Sequence, residues 1–381
     1  MKRVPLFRPS IDREEIDKVS SVLKSGWLTR GSLTEEFEKR CAEYLSAANC
    51  VAVSSATAGL HLALLALGVG PGDEVITVSL TFIATVQAIL YVGAKPIFAD
   101  IDPETLNISV KDVLMKVSPR TKVILPVHFG GHPCEMSELS AIARSHNLYI
   151  VEDAAHAFGA SYRGKMIGSS GLGDLTVFSF YPNKPITTGE GGLVCGRKEF
   201  VERIRLLSHH GIYHPTEKYR WRYFATELGY KYNFTDIQAA IGLAQISKAK
   251  AMIDRRKKWF RMYNLAFSNE EAFLTPIVKK HVESSYHIYP LRLNLSALKC
   301  SRDEFAMALE DEGVGVSVHY FPPVHLHPYY YRTLGLRKGS LPVTEIVSES
   351  EITLPLYPDM SEEEFEFVVD RVFKVLKRFR R

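Results

Sequence analysis

The strongest constraint on the fold is a repeated alternation of short apolar strands with helices. "NCVAVSS", "DEVITVS", "KPIFADI", "TKVILPVHF", "LYIVEDAA" and "LTVFSFY" are apolar, largely β-branched runs. Helical patterns such as "ATAGLHLALLALGVG", "FIATVQAILYVG" and "MSELSAIARSHN" separate them. Strands apolar on both faces need cover on both faces, so the pattern predicts an α/β fold: a mostly parallel sheet flanked by helices. From about Lys248 the pattern changes to a polar helix, a strand "SYHIYPLRLN", a helix "RDEFAMALEDEGV" and a strand "GVSVHY". The chain ends in an amphipathic helix, with Ser361 and Glu364 as a capping box and Phe365, Val368, Val369, Val372 and Leu376 along one face. At 381 residues the chain exceeds the size at which one core keeps growing. The expected division is a large α/β domain over 1–247 and a smaller C-terminal α+β domain over 248–381.

Composition excludes several classes of function. The formal net charge is only +4, and "KVLKRFRR" is the one basic run, which a solvated helix end explains better than nucleic acid does. No run approaches 18 apolar residues, and "MKRVPLFRPS" lacks the apolar stretch of an export signal, so neither a membrane span nor secretion is expected. The five cysteines form no CxxC pair, which fits free thiols in a cytoplasmic protein. His319, His325 and His327 have no acidic or cysteine companion at a zinc spacing, so no metal is expected.

In open α/β sheets ligands bind beyond the carboxyl ends of the strands, so the residues there carry the chemistry. "FSFYPNKPITTGEGG" places Lys184 just after a buried strand, where a charged head is costly unless it has a task. "LYIVEDAAH" ends in Asp153, with His156 one turn on; as plain structure these would be a helix cap and a core histidine. "VAVSSAT" puts Ser55 and Ala56 at a helix start, where free N–H groups suit a phosphate, although an ordinary N-cap looks the same. Phe82 and Ser179 sit at two further strand ends. One cofactor uses all of them: pyridoxal 5′-phosphate (PLP) needs a lysine amine, an acid at its ring nitrogen, an aromatic over the ring and a phosphate cup. Lys184 supplies the amine and Asp153 the acid; His156 supports the cofactor or Asp153; Ser55, Ala56 and Ser179 offer phosphate donors.

"SSATAGLHLAL", "TFIAT", "VEDAAHAFGA", "FSFYPNKPITTGEGG" and "LGYKYNFTDIQAAIGLAQ" resemble the DegT/DnrJ/StrS family of nucleotide-sugar aminotransferases, which have the type I fold of aspartate aminotransferase. The resemblance runs from "GWLTRG" to "LPLYPDM". It implies that Lys184 carries PLP, that Asp153 binds the pyridine nitrogen and that Phe82 stacks on the ring. It also implies a homodimer with shared active sites, in which the "GYKYN" segment reaches the partner's phosphate. Many relatives have asparagine where this chain has Lys231; here asparagine is at 233, so Lys231 and Asn233 are both candidates. The segment "SVHYFPPVHLHPYYY" would face the sugar, making His319 and Tyr320 candidate substrate contacts. Relatives with histidine in place of the lysine are dehydratases, so the presence of Lys184 implies transamination, from L-glutamate to a nucleotide-linked keto-sugar, most simply a UDP-4-keto-sugar. Two alternatives are elimination on the same fold, distinguished by whether glutamate aminates the cofactor, and a regulatory binding protein, against which Lys184 and Asp153 both argue.

Overall fold

The computed structural model of the chain describes residues 3–215, 217–219 and 221–381. A seven-stranded sheet lies at its centre, built from β1 (Cys50–Val53), β2 (Glu74–Val78), β3 (Lys95–Ala99), β4 (Thr121–Ile124), β5 (Tyr149–Asp153), β6 (Leu175–Ser179) and β7 (Gly192–Gly196). The order across the sheet is β1-β7-β6-β5-β4-β2-β3. The run β6-β5-β4-β2-β3 is parallel throughout. Only β7 runs against its neighbours, pairing antiparallel with both β1 and β6. Every residue of β2 and of β6 is buried, as the unbroken apolar runs require.

Helices α1 (Arg13–Ser25), α2 (Ser32–Leu45), α3 (Ala56–Ala66) and α4 (Ile83–Tyr91) lie in the N-terminal quarter of the chain. Helix α3 is apolar nearly all round, and Leu60, Leu62 and Leu64 are buried on different sides of it. Each of those leucines contributes about 1.5–3 kcal/mol by leaving water. The helix sits close on the sheet because of Gly59: a Cβ there would lie 2.7 Å from Val177 Cγ1 and 3.0 Å from Val194 Cγ2. Gly59→Ala therefore forces α3 off β6 and β7.

A second core surrounds a three-stranded antiparallel sheet of Phe273–Leu274, Tyr289–Leu293 and Glu351–Leu354. The final helix, Glu362–Phe379, closes it with Phe365, Val368, Val372 and Leu376, and the Ser361–Glu364 capping box is formed as expected. One helix, Asp236–Phe267, serves both cores without a break. Its N-terminal part gives Ala239, Ile246 and Met252 to the core under the large sheet, and its C-terminal part gives Trp259, Phe260 and Tyr263 to the other. The expected strand "GVSVHY" is not a strand. Within it Ser317 makes only an isolated bridge, to Thr353, and Val314 just before it makes another, to Val4. The ladder stops because the next donor on that edge, the His319 N–H, is taken by the Glu351 side chain at 2.6 Å.

Candidate active site

The carboxyl ends of β1, β2, β5 and β6 open into a cavity of about 560 Å³. Lys184 reaches it from the loop after β6. That loop is fixed at its base, where Phe180 N–H donates to Gly191 O at 2.9 Å and Thr188 N–H to Phe180 O at 3.0 Å. Inside it, Lys184 N–H closes a turn on Tyr181 O at 3.0 Å, and Arg256 Nη2 donates to the Lys184 carbonyl at 3.3 Å. Loss of water around the amine pushes the Lys184 ammonium down to about 8, with the Asp153 carboxylate pulling the other way. An amine so placed is substantially neutral, and hence nucleophilic, slightly above neutral pH.

Asp153 ends β5 with its carboxylate buried in the cavity wall. Thr85 Oγ1 donates to Oδ2 at 2.8 Å, and Ala155 N–H donates to Oδ1 at 3.1 Å. Burial pushes its pKa up, while these two donors, together with Lys184, oppose the shift. Thr85 belongs to the first turn of α4 and its hydroxyl is also 2.7 Å from that of Thr81. Sequence reasoning missed Thr85; the available signal was a hydroxyl three residues after Phe82, on the same helix face.

His156 bonds to neither side of Asp153. Its Nδ1 accepts the Gly130 N–H at 3.2 Å, which leaves the proton on Nε2, 3.3 Å from Tyr320 Oη. Burial, and then the nearby Lys184 and His319, hold it well below the usual histidine range, so it is neutral. His156 thus orients Tyr320, whose ring lies 6.3 Å from that of Phe82, centroid to centroid. Burial likewise holds His319 down at about 4, with Lys184 adding to the effect. His319 and Tyr320 both line the cavity. The other two histidines of that stretch are structural. His325 bonds Ser79 and Glu345 through its two ring nitrogens, at 2.7 and 3.1 Å, and His327 Nε2 donates to Pro322 O at 3.0 Å.

At the opposite end, Ser55 caps α3 by accepting the Ala58 N–H at 3.1 Å. The N–H groups of Ala56 and Thr57 have no partner within the helix and border the cavity. Strand β7 comes against this turn only because residue 192 is glycine: a Cβ there would lie 2.6 Å from Ser55 C and 2.7 Å from Ala56 N. Ser179 also lines the cavity, and Phe82, 59% exposed, forms its lip. This set fits PLP: a desolvated amine, a buried carboxylate, an aromatic and a helix start open to a phosphate around one space. Lys231 and Asn233 do not line the cavity of their own chain. Lys231 is exposed and bridges His209; Asn233 runs beside the end of β1, bridging Val53, with its amide on Phe234 O at 3.2 Å.

The sequence profile of the DegT/DnrJ/EryC1/StrS aminotransferase family matches residues 9–373. The spore coat polysaccharide biosynthesis protein SpsC of Bacillus subtilis is 42% identical, over 98% of this chain and 97% of its own. Helicobacter pylori PseC, an aminotransferase involved in the biosynthesis of pseudoaminic acid, superposes with a TM-score of 0.93 at 28% identity, covering 99% of this chain and 100% of its own. Spr1654 from Streptococcus pneumoniae, assigned as a sugar aminotransferase, superposes in its PLP form with a TM-score of 0.91 at 32% identity, covering 99% of each chain.

Proposed function

Because the chain belongs to the DegT/DnrJ/EryC1/StrS aminotransferase family and is a PLP-dependent sugar aminotransferase, we propose that it moves an amino group from L-glutamate to a nucleotide-linked keto-sugar. The acceptor is a UDP-4-keto-sugar, and the amino sugar formed goes into a cell-surface polysaccharide or related glycan. The observation that carries the reading is the pairing of Lys184 and Asp153 in one cavity, with His319 and Tyr320 on its wall. The volume of that cavity is about 560 Å³. The role in polysaccharide synthesis is supported by the likeness to SpsC.

Lys184 would anchor PLP, Asp153 would hold the proton on its ring nitrogen, and Phe82 would cover one face. Ser55, Ala56 and Ser179 would hold its phosphate. Bound there, PLP supplies an electron sink for the carbanion left when the Cα proton of the donor is removed. The chain's own work is proton handling. Lys184, near its titration point at neutral pH, takes the Cα proton as a free amine and returns it as an ammonium. Thr85 and Ala155 keep the Asp153 carboxylate aimed through the transfer. His156 holds the Tyr320 hydroxyl toward the space where the sugar would lie.

We also propose that two chains form a homodimer in the cytoplasm, with Lys231 or Asn233 completing the phosphate cup of the partner. Among the described residues no helix is long and apolar enough to cross a membrane. The division at residues 247 and 248 belongs to the same proposal, and the helix Asp236–Phe267 crosses it, with Ala249 and Met252 still packed in the first core. Amine transfer from L-glutamate to a panel of UDP- and dTDP-linked 3- and 4-keto-sugars, followed by mass spectrometry of the products, tests the substrate. A UDP-4-amino-sugar is the expected product. Transfer only to free keto-acids, or only to 3-keto-sugars, would overturn the assignment.

A further inference from the structure

Behind the cavity wall, the strand Glu351–Leu354 carries two buried polar side chains that PLP chemistry does not use. Glu351 is 0% exposed and Thr353 is 1% exposed, an expensive placement for a glutamate unless its oxygens are fully engaged. They are: Oε2 accepts the His319 backbone N–H at 2.6 Å, and Oε1 accepts the Thr353 hydroxyl at 2.5 Å. Arg302 holds the strand from the other side, its Nη1 donating to the Glu351 carbonyl at 2.9 Å. The Thr353 Oγ1 is in turn 2.7 Å from His319 Nδ1. The main chain of Thr353 adds two more bonds to the same segment, with Ser317, at 2.8 and 3.2 Å.

With Glu351 ionised, hydrogen counting fixes the histidine. A hydroxyl has one proton. If Thr353 donates it to the Glu351 carboxylate, it can meet Nδ1 only as an acceptor, so the neutral imidazole must carry its proton on Nδ1. We propose that Glu351 and Thr353 are positioning residues that set His319 as the Nδ1-protonated tautomer and turn an Nε2 lone pair to the cavity. From there Nε2 accepts a hydrogen bond from a hydroxyl of the sugar substrate and cannot donate one, so it selects for a donor group at that place. The tautomer rests on this geometry with Glu351 ionised, and its use in sugar selection rests on the substrate reading above.

Selective ¹⁵N-histidine NMR of the PLP-loaded protein at pH 9 tests this, with His319→Gln identifying the signal. At that pH Glu351, which burial pushes up to about 8, is ionised. The wild type should show His319 with Nδ1 protonated. In Glu351→Gln the amide N–H₂ donates to Thr353, the hydroxyl turns to Nδ1, and the signal should switch to the Nε2-protonated form. Thr353→Val should lose the Nδ1-protonated signature, and Thr353→Ser, which keeps a hydroxyl, should restore it. One hydrogen bond is at stake, so at the same pH kcat/KM for the keto-sugar should fall roughly tenfold in Glu351→Gln. Amination of the cofactor by glutamate should change less than about twofold, because no substrate hydroxyl is then at that place. An Nε2-protonated His319 in the wild type, or no change in either Glu351→Gln or Thr353→Val, overturns the relay. A normal switch with no amine transfer to any sugar nucleotide would leave the relay standing and remove the substrate reading.

Discussion

Asp153→Asn separates the chemistry of the site from its stability. The substitution keeps shape and volume but removes the charge. The carboxyl is pushed above its ordinary value by burial, so its contribution to folding is present at low pH and lost as pH rises through the folded value. At neutral pH the ionised form therefore works against the apoprotein. The bonds from Thr85 at 2.8 Å and Ala155 at 3.1 Å, of about 1.5–3 kcal/mol each for a charged acceptor, offset much of that cost. An asparagine keeps the acceptor for Ala155, and the Thr85 hydroxyl can rotate to accept from the new amide, using Thr81 at 2.7 Å as its own acceptor. The net change in apoprotein stability should thus lie within about 1 kcal/mol, or at most roughly 2–4 °C in Tm, and in the upward direction if any. Turnover behaves differently. Removing one partner of a buried charged pair costs about 3–5 kcal/mol, which is on the order of 10²–10⁴ in rate. The assay is scanning calorimetry of the apoprotein beside single-turnover amination of the loaded enzyme by glutamate. Turnover above one tenth of wild type would refute the role of Asp153. A Tm lower by more than about 6 °C would refute the hydrogen-bond accounting instead.

Two further outcomes follow from the geometry and a third from the proposed dimer. Gly192→Ala puts a methyl group 2.6 Å from Ser55 C and must push the start of α3 away, so PLP affinity should drop at least about tenfold in an equilibrium titration; unchanged affinity would mean that the Ser55–Ala56 turn does not hold the phosphate. Because the Lys184 ammonium is held down at about 8, the rate of covalent PLP capture by the apoprotein should rise with pH and level off above that value. A rise continuing to pH 10, followed by stopped-flow absorbance, would indicate an unshifted amine. Mixing Lys184→Ala with a Lys231→Ala/Asn233→Ala double mutant should restore activity as subunits exchange, since one site per mixed dimer regains both parts. No recovery despite exchange confirmed by mass spectrometry would mean that the loop serves its own chain.

Most of the large sheet can be read from the sequence because its strands are buried on both faces and so spell continuous apolar runs. The exception is β7: "GGLVCG" is too short and glycine-bounded to announce a strand, and its direction is set only by pairing with β1 and β6. Lys184 and Asp153 stand out because a charge at the end of a buried strand has few structural reasons. Thr85, Thr353 and Glu351 do not. A hydroxyl or a carboxylate in an apolar strand or helix is ambiguous until its partner is known, and the partner that gives each its task lies far off in sequence: Asp153 for Thr85, and His319 for Glu351 and Thr353. The "GVSVHY" segment shows the converse: its β-branched pattern is real, but a side chain from the neighbouring strand occupies the donor that a ladder needs. Lys231 and Asn233 are visible as polar groups among aromatics, yet one chain gives them nothing to act on.

The central claim is that Lys184 is the amine that takes the cofactor. Borohydride reduction of the PLP-loaded protein, proteolysis and peptide mass spectrometry test it directly. The account predicts one phosphopyridoxyl label per chain, on the peptide containing Lys184, and none when the protein is treated with L-glutamate before reduction. A label on another lysine, or a label that glutamate does not prevent, would contradict it.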